Sequence, residues 1–358
     1  MSSANPIEED STAQRPPSPP PHTTFEARGI LPPTFSALKP RDYRMPGSQS
    51  YGHVAWSCDG KKLAAVGPDK TTRVWNPDKS VRASFREELA QIEYRSATTY
   101  SGAHSEDVDY VSWNPTHPDL FCTSSSRDRR IVFWDARQSR NIQVYLSKYS
   151  PVQTCYSPNG RELLGISATN ALFFMNLGRD KPEDKEQWRS SDREPKLASM
   201  ALWNHAGTGI LTALHSESSI RAIEYPSLGL HKTSPAHVGG VTSLALDPRG
   251  RYLASGGVDS IVNLFDLEDW ISARTITSCE HSINSISFSS DGEYLAISTT
   301  GSYLEICATE TGLSLHRVST PAPAPVVAWH PSRYVVAYCG QIGGPPPIST
   351  ISMFGLLE

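Results

Sequence analysis

The residues of this sequence best suited to chemistry come in two matching sets. His104, Ser124 and Asp128 follow one another, with Trp134 close behind, and His237, Ser255 and Asp259 repeat the order further along. Imidazole, hydroxyl and carboxylate are the parts of a nucleophilic relay, in which a carboxylate orients a base that activates a serine. They are equally the parts of a structural chain of hydrogen bonds, with the Trp134 indole as a further donor. Recurrence decides between the two. A framework repeats along a chain, whereas a catalytic centre is rarely built twice, so the trio reads as framework and no catalytic residue is assigned.

The remaining reactive side chains do not assemble into a centre either. His53, His215, His281 and His316 are scattered without metal-ligand spacing. Cys58, Cys122, Cys155, Cys279, Cys307 and Cys339 form no C-x-x-C pair, so they are expected as small buried thiols in a reducing compartment. Gly-rich phosphate loops, HExxH, GxSxG and EF-hand loops are missing at their required spacing. No cofactor and no metal is expected, and the chain is read as no enzyme.

Arginine offers a different chemistry. Arg127, Arg129 and Arg130 crowd one turn, "RDRR", and Arg137 follows Trp134-Asp135. Guanidinium groups favour protein interfaces, so these four are the candidate protein-binding residues; the plainer alternative is a solvated turn. A net charge of −4 argues against phosphate backbone as the main ligand. With 38% hydrophobic and 20% charged residues, no long apolar run and an acidic, polar start, the expectation is a soluble intracellular chain without a signal peptide.

These residues sit on a repeated element. Trp56, Trp113, Tyr156, Trp203, Leu246, Phe288 and Trp329 each close a short alternating strand, and a turn such as SCDG, SPNG or DPRG follows. Their successive spacings are 57, 43, 47, 43, 42 and 41 residues, most of them near the ~40–45-residue period of a four-stranded propeller blade. Second strands (KLAAV, YLASGG, YVVAYC) and third strands (TTRVWN, RIVFWD, TISMFG) recur inside each period, which predicts an all-β array.

With their Gly-His, turn-Asp and Trp-Asp positions, the units resemble WD repeats, most closely in "AHSEDVDYVSWNPTHPDLFCTSSSRDRRIVFWDAR". The resemblance implies a single seven-bladed β-propeller over residues 34–358. The chain ends too soon for a fourth strand in the last unit, so the ring is expected to close with an N-terminal strand from "TFSALKPRDYR", residues 34–44. Pro40 is tolerable there because an outermost strand need not donate every N–H. Residues 1–33 carry eight prolines and are expected as a disordered tail; FEARGILPP within it is the alternative, a partner-binding motif. Two long excursions follow third strands, "NPDKSVRASFREELAQIEYRSATTYSGAH" and the charged stretch 178–195, and are expected as loops on one face. A third, "GQIGGPPP", belongs to the opposite face.

Beyond the repeats, HVAWSCDGKKLA, NPTHPDLF, SIRAIEYPSL, LALDPRGRYLASGGVDSIVNLFD and VVAWHP resemble the propeller subunits of the THO complex. That resemblance implies a non-catalytic nuclear scaffold that joins other THO subunits, the largest among them. Its RNA helicase and messenger RNA would be reached indirectly, with no membrane and no small-molecule substrate. "IVFWDAR" also fits the WD-x-Arg box of cullin-RING ubiquitin ligase substrate receptors, with Arg137 as its arginine; this is the rival reading.

Overall fold

The computed structural model describes residues 23–45, 51–76, 97–342 and 347–355. The described residues build seven antiparallel sheets with strands side by side in sequence order, except in the last sheet and in the third, where Lys196–Leu197 pairs back onto the third strand. The first strand of each sheet packs against the first strands of its neighbours, and the circuit runs from the seventh back to the first. The result is the seven-bladed all-β propeller that the repeat period implies.

Blade two shows how the sequence builds a unit. Its strands are Tyr110–Trp113, Leu120–Ser125, Arg130–Asp135 and Asn141–Leu146. The two middle strands are buried almost throughout, because sheets cover both of their faces, while the outermost alternates with solvent. Glycines at first-to-second turns, Gly60, Gly160, Gly207, Gly250 and Gly292, hold φ between +69° and +75°, a region where a side chain costs about 1–2 kcal/mol.

The seam lies in blade seven. Its sheet runs Val327–Trp329, Val335–Ile342, Ile348–Gly355 and then Arg41–Arg44, which pairs antiparallel with the third strand from Arg41↔Met353 to Arg44↔Thr350. Ser352 Oγ donates to Asp42 at 2.6 Å. The closing strand is shorter than the expected 34–44. Residues Phe35–Ala37 form a 3-10 turn instead, because Phe35 is drawn inward to meet Tyr294 edge-on at 4.9 Å.

Two other expectations change. Of the expected tail, residues 1–22 lie outside the described residues, but the chain from Thr23 onward is bound to the ring. Phe25 is buried, the Thr24 N–H donates to Glu293, and Arg28 pairs with Asp291 at 2.7 Å. Much of FEARGILPP is thus occupied by its own propeller, although Ile30 and Leu31 remain exposed. The stretch 178–195 is not a loop throughout: Gln187–Ser190 is the outer strand of blade three, fixed by Trp188 stacking on Phe133 at 4.9 Å. Most of the first excursion (residues 77–96) and the centre of the third (343–346) lie outside the described residues.

Candidate protein-binding site

The blade-two network forms, with one change of member. His104 Nδ1–H donates to the Asp128 side chain at 3.0 Å, and Nε2 accepts from a hydroxyl at 2.8 Å. That hydroxyl is Thr123, not Ser124, and the Trp134 indole donates to the same oxygen at 2.9 Å. Successive strand residues face opposite sides of a sheet; Ser124 therefore faces away, its Oγ buried with no hydrogen-bond partner. In blade five, His237 joins Asp259 at 3.0 Å and Ser255 at 2.9 Å. The chain stops there because Phe265 stands where Trp134 does and has no N–H.

The arginines are more committed to the fold than an open docking patch requires. Arg130 donates to the Ala103 carbonyl at 2.7 Å. Arg129 occupies the left-handed position, φ +58°, that Lys70, Asn170, Ser218 and Ser260 fill in the matching turns. Arg127 pairs with Asp107 at 2.8 Å and leaves most of its side chain in solvent. Arg137 grips its own Asp135, with Nε at 2.9 Å and a terminal nitrogen at 2.7 Å, rather than a neighbouring blade. Those bonds hold the Asp135 carboxyl down at about 2. Asp135 itself is buried, and Arg137 is its neutralising partner.

The aromatic repeat markers are joints between blades. The Trp56, Trp113 and Trp203 indoles donate to the carbonyls of Ala328, Ala55 and Cys155, each on the first strand of the preceding blade, at 3.0–3.2 Å. Tyr156, Phe288 and Trp329 pack into the corresponding interfaces. Leu246 breaks the series.

The first strands enclose a central channel. One stretch, about 540 Å³, is walled by residues including His53, Tyr110, Gln153, Thr242 and Asn284. His53 stacks on Tyr110 at 3.7 Å, and burial pushes its imidazole down to about 3. The other mouth, about 620 Å³, is edged by Trp203, Phe288, Trp329 and four prolines. Burial raises the Cys122 thiol to about 12 and the Cys155 thiol to about 11, which keeps both protonated and unreactive. Among the described residues, no group of three or more His, Cys, Asp and Glu could hold a metal ion. A separate cleft of about 340 Å³ opens between blades four and five around Leu246 and Trp270. Sequence reading missed it, although the one aliphatic marker in the aromatic series was its signal.

The WD40 family (WD domain, G-beta repeat) matches residues 44–76, 95–135, 229–266 and 272–303. THO complex subunit 3 of Arabidopsis thaliana is 29% identical over 314 residues, 87% of this chain and 92% of that protein. WD repeat-containing protein AAC3 of Dictyostelium discoideum is 26% identical over 332 residues, 90% of this chain and 68% of its own length. The Myceliophteria thermophila Cps50 (Swd1) beta-propeller domain shares the fold at 17% identity, with a TM-score of 0.70 over 89% of this chain and 100% of that one. The chain is a seven-bladed β-propeller that carries WD40 repeats in these four stretches and resembles THO complex subunit 3.

Proposed function

We propose that this protein is a non-catalytic scaffold subunit of a THO-type assembly in the nucleus, coupling transcription to messenger RNA packaging and export through protein–protein contacts. The observation that carries the reading is end-to-end similarity to THO complex subunit 3, 87% of one chain against 92% of the other. The propeller supplies the means. A closed ring holds its turns at fixed spacing, so a partner binds without the cost of ordering a loose surface. The partners are other THO subunits, the largest first; helicase and RNA are reached through the assembly. The −4 charge supports that division of labour. The cullin-receptor alternative is disfavoured because Arg137 already neutralises Asp135.

Purification of the tagged chain from nuclear extract, followed by cross-linking mass spectrometry, tests the reading. THO subunits should co-elute in stoichiometric amount with cross-links to the propeller. Stoichiometric recovery of a cullin adaptor in their place would overturn it.

A further inference from the structure

The cleft between blades four and five marks a place where the repeat pattern is broken. In six blades an aromatic side chain at the end of the first strand fills the wedge toward the preceding blade: Trp56, Trp113, Tyr156, Trp203, Phe288 and Trp329. Blade five has Leu246 there, an aliphatic side chain only partly buried in the interface. Other interfaces carry extra filling as well. Trp188 stacks on Phe133 between blades two and three, Tyr225 packs on Phe174 at 5.4 Å between three and four, and Arg251 pairs with Glu310 between five and six. Between four and five, Phe265 is the only fully buried aromatic among the described residues, and the remaining space is the 340 Å³ cleft.

Its lining divides by chemistry. Leu211, Ala222, Leu246, Leu267 and the half-buried Trp270 give an apolar wall, and His205, His231 and Glu224 edge the opening. Among the described residues, no Lys or Arg lines it. The Glu224 side chain is 62% exposed, with His231 at 3.8 Å as its one ion partner among the described residues. Glu268 and Asp269 stand exposed on the turn that supplies Leu267 and Trp270.

From the missing ring and the acidic edge we infer that this cleft is a docking pocket for a protein segment that inserts an aromatic or leucine side chain flanked by Lys or Arg. The volume falls in the ordinary range for a pocket that buries one such anchor. The guest takes the place that an intramolecular ring holds in the sibling blades, and its basic flanks meet Glu224 and the Glu268–Asp269 turn. The inference concerns the isolated ring and does not depend on the assembly proposed above.

A random nonapeptide display library, selected on the full chain, tests it, with the Leu246→Trp variant as counter-selection. That substitution copies the sibling blades and should leave the melting temperature equal to or above that of the parent. Enriched peptides should carry an aromatic residue or leucine beside Lys or Arg. Their affinity should fall at least about tenfold in Leu246→Trp and several-fold in Glu224→Lys. Should Leu246→Trp not melt cooperatively, Trp270→Asn serves instead, since Asn accepts the left-handed backbone at φ +61°. Recovery of no variant-sensitive peptides, or of acidic ones, overturns the inference.

Discussion

Neighbouring hydroxyls on one strand have opposite fates here. Thr123 accepts from an indole and donates to an imidazole, whereas Ser124 is buried with nothing to bond. Thr123→Val should therefore cost about 1–3 kcal/mol by stranding two buried ring nitrogens, while Ser124→Ala should be neutral or slightly stabilising. Urea denaturation of the two variants checks the contrast. The His–Asp half of the network could be read from the sequence because the same order of residue types recurs in two repeats. The hydroxyl could not, because the run Thr123-Ser124-Ser125 puts oxygens on both faces and only strand register selects one. His53 gives a second residue-scale expectation. Its imidazole titrates near 6.5 when unfolded and about 3 in the channel wall, so the unfolded chain binds the proton first as the pH falls. Stability is complete above about pH 6.5 and declines toward pH 3, by at most about 1.4 kcal/mol per pH unit. Burial lowers His104 in the same direction. Melting temperatures from pH 7 to pH 4 should fall less steeply in His53→Gln than in the parent.

At the scale of elements, the segment from Thr23 to Met45 works as a clasp across blades six and seven. Phe25 and Phe35 enter the core shared with Tyr294, Trp329 and Phe354, and Arg41–Arg44 completes the last sheet. Phe35→Ala should cost about 3–5 kcal/mol, the usual loss for an emptied aromatic site. Removal of residues 1–45 should lower the melting temperature well beyond that point variant and broaden the transition, as followed by calorimetry. An unchanged, sharp transition would show that the seam holds without them. The need for a closing strand was legible, since blade seven otherwise ends one strand short. The two Phe anchors were not, because prolines and charges surround them and no period marks them. Trp188 was hidden among charged residues in the same way.

For the whole molecule, the aromatic markers and their near-regular spacing carried the ring: one side chain per blade touches the blade before it, so local sequence encodes global order. The same regularity makes Leu246 informative, since a departure from a repeat is visible only against the repeat. Charge acts at this scale too. With a net charge of −4 and its turn arginines paired with Asp107, Asp135 and the Ala103 carbonyl, the isolated ring should show little affinity for single-stranded RNA at physiological salt. Fluorescence anisotropy with a labelled oligonucleotide checks this; tight, salt-sensitive binding would assign the ring a direct RNA contact.

The pairing of Arg44 with Thr350 also sets an order of events at birth. A ribosome adding roughly 5–20 residues per second makes the first of these partners on the order of 15–60 s before the second. Throughout that interval the early strand has no edge to join, because the sheet that receives it has not yet been made. Blades one to six can condense as they emerge, but the circle is shut only once Thr350 to Met353 have been made.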